Sequence, residues 1–163
     1  GNNLRKILSR YRSFGGVVAN WQLFGTSFVS EVPQNLLMIE VLLLRAPRFY
    51  GENQHVKTIV QPHKVVEPQS PHAFNYKPGF IAVNTDYEHV SGPISHIVVD
   101  KICINHYWTR DEKFLEEVKV ARRKRWGEGV DGIYRRSEAI NVEPDFVIQK
   151  FVPELRKRMG LAK

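Results

Sequence analysis

The chain has 163 residues, of which 42% are apolar and 25% charged, values typical of one ordinary globular domain that buries a core. A formal net charge of +7 and a pI near 9.6 favour anionic partners such as nucleic acid, phospholipid headgroups or phosphorylated small molecules. The single cysteine, Cys103, excludes an intrachain disulfide. The sequence contains no apolar run of about 18 residues, the length that would predict a membrane span. We therefore expect a cytoplasmic protein, with a membrane-peripheral location as the alternative.

The positive charge falls in three runs along the chain. They are Arg5, Lys6, Arg10 and Arg12, then Lys119 with Arg122–Arg125, then Arg156–Arg158. We expect these runs to lie on solvated helix faces or helix ends. A nucleic-acid interface is the less favoured interpretation, because aromatic residues do not interleave with the basic ones and no nucleic-acid motif is present.

Residues 1–14 are predicted to form a basic amphipathic helix, and residues 15–163 a single domain. The helix is predicted because four apolar residues fall at helical spacing, namely Leu4, Ile7, Leu8 and Tyr11. The default expectation is that it packs on its own domain. The alternatives are docking on a missing segment and contact with an anionic membrane surface.

Apolar periodicity and turn residues predict the remaining elements. In chain order they are a strand at 17–21, a helix at 35–44, a strand at 56–60, an extended piece at 72–74, a strand at 80–83, a buried central strand at 97–105 that includes Cys103, a helix from Thr109 with a Thr109/Glu112 capping box, a loop at 127–143 and a short helix opened by Pro153. This order favours an α/β fold, with α+β as the alternative, and a mixed sheet flanked by helices.

The first strand leads into the stretch that we expect to carry chemistry, residues 19–27. Trp21 and Phe24 provide large apolar surface, and Gly25 permits a backbone turn. Thr26 and Ser27 then present two hydroxyls, and hydroxyls on a turn after a strand commonly point into a pocket. The alternative is a strand end that simply packs on the core.

Outside this stretch the sequence offers few further candidates. His106 follows the predicted central strand and precedes a helix, the place where α/β folds bind ligands, so it is a candidate for a metal, a phosphate or a proton. Its alternative is a hydrogen-bonded rim histidine. Lys57 within a strand suggests a buried partner or a phosphate, unless the strand lies at an edge. Glu31 and Glu40 are nearby carboxylates, and we expect Glu40 to pair with Arg45 or Arg48.

Several well-known motifs are absent from the chain. There is no Gly-rich phosphate loop, no Gly-x-Ser-x-Gly elbow and no Asp-x-Asp pair, and the histidine spacing does not suit a structural zinc site. The segment nearest to a metal motif is Asp86-Tyr87-Glu88, which we do not expect to bind metal.

An ordered series of short motifs carries a family resemblance. The series is Trp21-x-x-Phe24-Gly25-Thr26-Ser27, His55-x-Lys57-x-Ile59-Val60-x-Pro62, Pro71-His72-x-Phe74, Ile104-Asn105-His106-Tyr107 with Phe114 and Lys119, and a tail around Asp145–Ile148 and Phe151–Pro153. It resembles the C-terminal half of glycosyltransferase family 92 and its bacterial relatives. The resemblance covers most of residues 15–155.

The resemblance implies an A-type glycosyltransferase fold and an inverting transfer of a galactose-like hexose. The donor would be a UDP-hexose and the acceptor a glycan. The implied cofactor is Mn²⁺ or another divalent cation, held by an Asp-x-Asp motif upstream of this chain, so the chain would be the acceptor half. Without the other sheet half its strands would need a partner, and a homodimer is one solution. The alternative function is a non-catalytic glycan- or anion-binding domain.

The resemblance also implies roles for particular residues. Those that would line the cleft for the acceptor and the donor sugar are Trp21, Phe24, Gly25, Thr26 and Ser27. Lys57 would face the diphosphate or brace the cleft, and His72 would sit on the rim. His106 would complete the metal and diphosphate site, and Glu31 is the candidate catalytic base. The chain departs from the family at Phe28-Val29, where Gly-His is usual, and at Arg110-Asp111, where Lys-Ser is frequent.

Overall fold

The computed structural model describes residues 3–161, which form a mixed α/β structure. The helices are α1 (Leu4–Leu8), α2 (Met38–Val41), α3 (Glu112–Phe114), α4 (Ala121–Arg125), α5 (Asp131–Ala139) and α6 (Val152–Arg158). The strands are β1 (Gly16–Phe24), β2 (Leu44–Arg45), β3 (Val56–Val60), β4 (Val65–Pro68), β5 (Phe74–Tyr76), β6 (Ala82–Val83), β7 (His89–Val90), β8 (Cys103–Tyr107) and β9 (Glu143–Pro144). A π-helical segment, Leu115–Val120, lies between α3 and α4, and 3-10 turns occur at Ser9–Tyr11, Gly51–Gln54, Pro62–Lys64 and Val147–Phe151.

The described residues divide into two compact units. The first contains residues 3–22 and 48–105, and the second contains residues 23–47 and 106–161. The division falls inside β1, so that Gln22 is the last residue of this strand in the first unit. Within residues 3–161, no helix has both the length and the apolar character that a bilayer crossing requires.

The first unit is built on a mixed sheet. β1 pairs with β3 in the antiparallel sense, from Gly16 opposite Val60 to Asn20 opposite Val56. β1 also pairs with β6 in the parallel sense, and β6 pairs with β7 in the antiparallel sense. β4 and β5 form a separate antiparallel pair. The presence of parallel and antiparallel pairs confirms the predicted mixed sheet.

Alternating side chains of β1 build the core of the first unit on both faces of the sheet, as expected for a strand period of two. Val18 belongs to one cluster of buried residues, with Val56, Ala82 and Val90. Val17 belongs to another cluster, with Tyr11 and Val83. Ile7, Leu8 and Phe14 pack against that second cluster, so two of the three apolar residues of α1 lie on its own unit, whereas Leu4 is exposed.

The side chain of Asn20 in β1, rather than strand pairing, holds the segment that precedes β8. It is 1% exposed, and its Nδ2 lies 3.2 Å from the carbonyl oxygen of Asn53, while its Oδ1 accepts the N–H of Val98 at 3.1 Å. Because a side chain takes this N–H, the backbone near Val98 does not enter a ladder. The predicted strand at 97–105 is therefore wrong in its first part, and Cys103 is exposed where we expected burial.

In the second unit, the end of β1 pairs with β2, and β2 pairs with β9. Arg45 of β2 forms ion pairs with Glu143 at 2.9 Å and Asp145 at 3.0 Å. Glu40 pairs with Arg156 at 2.7 Å, so its predicted pairing with Arg45 or Arg48 is wrong. The predicted helix at 35–44 is reduced to α2, because Leu44 and Arg45 extend into a strand.

The helices of the second unit pack together after Asp111. The Asp111 carboxylate accepts the N–H of Phe114 at 2.8 Å and caps α3, so the predicted Thr109/Glu112 capping box is wrong. The predicted loop at 127–143 contains α5, whose Ile133 is buried with Leu115 and Val120. The last predicted helix is confirmed, with proline in the first turn of α6.

Candidate functional site

Three ring side chains meet in the first unit, and we call Trp21, His55 and His72 the aromatic cluster. The His55 ring stacks on Trp21 with a centroid distance of 4.9 Å and an interplanar angle of 18°. The His72 ring is tilted against Trp21 at 5.4 Å and against His55 at 6.0 Å. All three side chains are half-buried, so the cluster is fixed in place and still reaches the surface.

Backbone pairing and side-chain hydrogen bonds hold the aromatic cluster in position. The N–H of Trp21 donates to the carbonyl of His55 at 2.9 Å. The hydroxyl of Thr58, on β3, donates to the carbonyl of His72 at 2.6 Å. Lys57, also on β3, donates its ammonium to the carbonyl of Pro71 at 2.9 Å. Two adjacent strand residues therefore anchor the segment that carries His72.

The hydrogen bonds of the two imidazoles define what they present to a ligand. Nδ1 of His72 lies 2.7 Å from the carbonyl oxygen of Val56, and Nδ1 of His55 lies 3.1 Å from that of Glu52. A carbonyl oxygen only accepts, so Nδ1 carries the proton in both rings. In the neutral imidazole Nε2 is then an acceptor. The aromatic cluster thus combines an indole surface with imidazole acceptors suited to hydroxyl groups.

The hydroxyls of Thr26 and Ser27 are used inside the second unit. Thr26 is 2% exposed, and its Oγ1 accepts from Nδ2 of Asn141 at 3.0 Å. The hydroxyl of Ser27 accepts the N–H of Leu44 at 2.8 Å, and the N–H of Ser27 donates to Oδ1 of Asn141 at 2.7 Å. Ser27 and Phe28 both have left-handed backbones, with φ of 54° and 58°. These hydrogen bonds hold a turn that side-chain sterics disfavour.

Glycine is required at position 25 because there is no room for a side chain. A Cβ there would lie 2.2 Å from Oδ1 of Asn141 and 2.9 Å from the carbonyl oxygen of Ile140. We expected Gly25 to provide a turn conformation that other residues resist. The backbone of Gly25 has no positive φ, so that explanation is wrong. Phe24 is fully buried and its ring lies 4.9 Å from that of Tyr107.

Glu31, the candidate base, is exposed in the second unit. Its Oε1 lies 2.8 Å from Nζ of Lys113, and this hydrogen bond raises the pKa of Lys113 above its ordinary value. The carboxylate therefore sits in a solvent-accessible ion pair, which would have to open before Glu31 accepted a proton from a substrate hydroxyl.

His106, the candidate metal ligand, is a half-buried residue of β8. Among residues 3–161, no group of three or more histidine, cysteine, aspartate or glutamate side chains is arranged to hold a metal ion. Manganese prefers oxygen ligands, and one imidazole does not provide them. The described residues thus do not fit a complete manganese site.

Sequence reasoning missed the contributions of His55 and Asn141. In the sequence His55 contributes only to a motif, and its place immediately before the predicted strand at 56–60 is the signal that it lies at the sheet. No sequence feature indicates that Asn141 supports this turn, because it follows Thr26 by 115 residues and lies in a segment predicted to be a loop.

The structure brings three of the predicted substrate-binding residues together in the first unit, namely Trp21, Lys57 and His72. The others, Phe24 to Ser27, lie in the second unit, as do Glu31 and His106. Comparison of the chain with protein-family models, with curated proteins and with solved structures found no match.

Proposed function

We propose that the chain is the acceptor half of an inverting glycosyltransferase of the A-type fold. It would help to move a galactose-like hexose from a UDP-hexose donor to a glycan acceptor. The observation that carries this proposal is the convergence of Trp21 and His72, with Lys57 anchoring the segment beside them. These residues come from three separate motifs, and the resemblance assigns all three motifs to one cleft.

The aromatic cluster suits a pyranose. A sugar ring has an apolar face of C–H groups and a rim of hydroxyls, so it is matched by an aromatic surface with a few fixed polar groups. Trp21 supplies the aromatic surface, while His55 and His72 supply nitrogen acceptors whose tautomers are fixed by the backbone. Because these groups are already ordered, binding would require little further loss of side-chain freedom.

The proposed reaction is a displacement at the anomeric carbon of the donor. The acceptor hydroxyl oxygen forms the new bond to this carbon, the bond to the diphosphate breaks, and the electron pair leaves with UDP. The hydroxyl proton passes to a carboxylate base, for which Glu31 is the candidate once its ion pair with Lys113 opens. Lys57 is engaged with the carbonyl of Pro71, which favours its bracing role over contact with the diphosphate.

A second function is favoured by the same cluster together with the charge of the chain. A surface with an aromatic platform on a protein of net charge +7 would also serve a non-catalytic domain that binds an anionic glycan. The two functions differ in one product, because only the transferase releases UDP.

The test measures saccharide binding and UDP release with the full-length protein, supplied with UDP-galactose, Mn²⁺ and a panel of glycan acceptors. His72→Ala and Trp21→Ala should weaken glycan binding at least about tenfold, as the loss of a stacked, hydrogen-bonding residue does. His63→Ala is the matched control, since His63 is exposed on a neighbouring turn. It should bind as the unsubstituted protein does.

The outcomes separate the two functions. UDP release that depends on acceptor and falls with Glu31→Gln supports the transferase. Glycan binding that needs His72, without UDP release from any donor, replaces the transferase with the binding domain. If neither binding nor release is seen, or if His63→Ala weakens binding as much as His72→Ala, both are rejected.

A further inference from the structure

A concave site lies in the first unit, where α1 and the turn at Ser9–Tyr11 meet the paired strands β1 and β3. It has a volume of about 330 Å³, at the lower end of the range of small-molecule sites. We call it the arginine pocket, and the residues that define it are Arg5, Leu8, Arg12, Val17, Ile59 and Gln61. No member of the aromatic cluster lines this pocket, so the site is independent of the sugar-transfer proposal.

One wall of the arginine pocket is a helical face. Arg5, Leu8 and Arg12 follow one another at intervals of three and four residues, so their side chains lie on the same side of α1 and the turn that follows it. Leu8 also packs against the buried cluster that contains Val17 and Tyr11, which fixes this wall on the sheet. The wall therefore presents a leucine with an arginine about one turn to either side.

The floor of the pocket is apolar. Val17 of β1 and Ile59 of β3 are directly opposite each other in the antiparallel pair, so their side chains project from the same face of the sheet. Val17 is only 3% exposed, whereas Ile59 is 38% exposed. Ile59 therefore offers apolar surface that the packing of its own unit leaves uncovered.

Two cations line the pocket without a carboxylate to balance them. Arg5 and Arg12 are exposed, and within residues 3–161 neither guanidinium forms an ion pair or a hydrogen bond. Of the described residues that line the pocket, none is an aspartate or a glutamate. The backbone of Arg12 is held in place, because the carboxamide of Gln61 donates to its carbonyl at 2.9 Å and to that of Phe14 at 2.6 Å. The pocket thus combines two unbalanced positive charges with an apolar floor.

We propose that the arginine pocket binds an aliphatic anion, a chain of medium length with one acidic head group. The guanidinium fork of Arg5 or Arg12 matches the oxygens of a carboxylate and of a phosphate alike. Water commonly satisfies arginines on a surface, so the apolar floor is what distinguishes this ligand from a simple anion. The chain would cover Ile59 and leave water as it does so, which stabilises the complex in proportion to the apolar area buried.

The experiment titrates the full chain with octanoate at low and constant ionic strength and measures the heat of binding. Acetate carries the same charge without the chain, and 1-octanol carries the chain without the charge. Each should bind at least about tenfold more weakly than octanoate, because each lacks one of the two contacts that the pocket provides. The proposal is rejected if neither octanoate nor octyl phosphate binds, or if acetate or 1-octanol binds as tightly as they do.

The role of the arginines is tested by the double variant Arg5→Met and Arg12→Met, which removes both charges from the pocket. It should weaken octanoate binding at least about tenfold, the usual consequence of losing a charge-assisted hydrogen bond. It should leave the binding of 1-octanol unchanged, because the floor is intact. An unchanged affinity for octanoate would overturn the proposal.

The matched control is the double variant Lys6→Met and Arg10→Met. Both side chains are exposed on α1 and the turn that follows it, and neither lines the pocket, so the same net charge is lost from the same region. The affinity should change less than about twofold, as expected for screened surface charges. Equal weakening in the two double variants would show that only the net charge matters. Both should unfold at the same temperature, because all four side chains are exposed.

The role of the floor is tested by Ile59→Thr, which keeps the β-branched shape and removes apolar surface. It should weaken octanoate binding about fourfold, the value of roughly one buried CH₂ group, and leave acetate binding unchanged. Ile81→Thr is the control, because Ile81 is 40% exposed and lies outside the pocket. The proposal fails if Ile59→Thr binds octanoate as the unsubstituted chain does, or if Ile81→Thr weakens binding equally.

A final titration with octyl phosphate identifies the head group. Tighter binding of octyl phosphate than of octanoate, lost in Arg5→Met and Arg12→Met, supports the pocket and assigns it to a phosphate ester. Tighter binding of octanoate, lost in the same double variant, supports the pocket and assigns it to a fatty acid.

Discussion

Two groups of polar side chains, the imidazoles beside Trp21 and the hydroxyls of Thr26 and Ser27, differ in which donors and acceptors remain free of hydrogen bonds within the fold. Around Trp21, each imidazole uses Nδ1 on a backbone carbonyl and retains Nε2. In the turn at Thr26 and Ser27, both hydroxyls and one backbone N–H are engaged with other residues of the turn and its neighbours. Trp21 and Thr26 are only five positions apart, yet the rings around Trp21 retain nitrogens for a ligand while the hydroxyls of the turn maintain the fold.

The difference shows why a residue type does not by itself identify a binding site. Serine and threonine after a strand are chemically suited to a ligand, but a left-handed turn has to be stabilised, and these hydroxyls stabilise it. The histidines are equally suited to structural roles, but a ring has two nitrogens and the backbone occupies only one. The number of donors and acceptors left after folding decides what a site can bind.

The largest effect on the turn at Thr26 and Ser27 is expected from Gly25→Ala. The added Cβ would meet Oδ1 of Asn141 at 2.2 Å and the carbonyl oxygen of Ile140 at 2.9 Å. We expect a loss of roughly 2–3 kcal/mol in the free energy of unfolding, the upper range for overpacking. Urea unfolding measures it, and Gly51→Ala is the control because a Cβ at that position meets nothing within 4 Å.

Asn141→Ala tests the same turn from the other side. Alone it should cost about 1–3 kcal/mol, because the N–H of Ser27 loses its acceptor. Combined with Gly25→Ala, the cost should be less than the sum of the single losses, because the nearest clashing atom is absent. Strict additivity would show that the turn is less tightly built than its geometry indicates.

A medium effect is expected from a pair of buried tyrosine hydroxyls. The hydroxyl of Tyr11 donates to the carbonyl of Thr85 at 2.8 Å, whereas that of Tyr76 is buried and has no hydrogen-bond partner in the described chain. Tyr11→Phe should lower the free energy of unfolding by about 1 kcal/mol. Tyr76→Phe should leave it unchanged or raise it slightly, because an unpaired hydroxyl no longer has to be buried. Equal losses in urea unfolding would contradict this.

The same tyrosines predict a loss of stability in alkali. Burial raises the pKa of Tyr76, and burial followed by the nearby Tyr87 raises that of Tyr11. The folded state thus favours the neutral hydroxyls, and this contribution is complete below the unfolded pKa of about 10 and is lost as pH rises through the folded pKa. Tyr76→Phe should show a smaller alkaline decrease in unfolding midpoint than the unsubstituted chain.

The smallest effect on the free energy of unfolding is expected from removing the charge of Lys119. Lys119→Met should raise the free energy of unfolding by less than about 1 kcal/mol at neutral pH, because solvent reduces the cost of holding a charge at this partly exposed position. Burial, followed by the charges of Arg122 and Arg136, lowers the pKa of Lys119, so the protonated folded state carries this cost. The gain should therefore shrink as pH rises through the folded pKa toward the unfolded value. A gain that is independent of pH would indicate better packing.

The local sequence pattern predicted those elements whose apolar residues pack against adjacent elements. β1 contains Val17 and Val18, which pack on the two faces of the sheet, Val56 of β3 packs with Val18, and α6 has a proline in its first turn. Other elements depended on distant residues. Leu44 and Arg45 leave a helical pattern because β9 pairs with them and Arg45 finds Glu143. No local rule contains that information.

The errors at α5 and around Val98 have separate causes. Ile133 and Ser137 of α5 and Ile140, which follows it, are buried at helical spacing, but the nearby glycines obscure this pattern in the sequence. The apolar run at Val98 is typical of a strand, and the hydrogen bond from the N–H of Val98 to Oδ1 of Asn20 accounts for its irregular backbone. In the candidate site, the motifs identified Trp21 and His72, while the partner that supports Thr26 and Ser27 could not be inferred.

The π-helical segment Leu115–Val120 has a consequence for how this region tolerates changes in length. A π turn holds about one residue more than an α turn, so such a segment is equivalent to a one-residue insertion in a regular helix. Removing one residue from a regular α-helix rotates everything after it by about 100°. Removing one residue from the π-helical segment would instead restore α-helical geometry and leave the basic side chains of α4 in the same direction relative to α3. Lys119 lies within the segment itself, so such a deletion should change the surroundings of Lys119 and preserve those of α4.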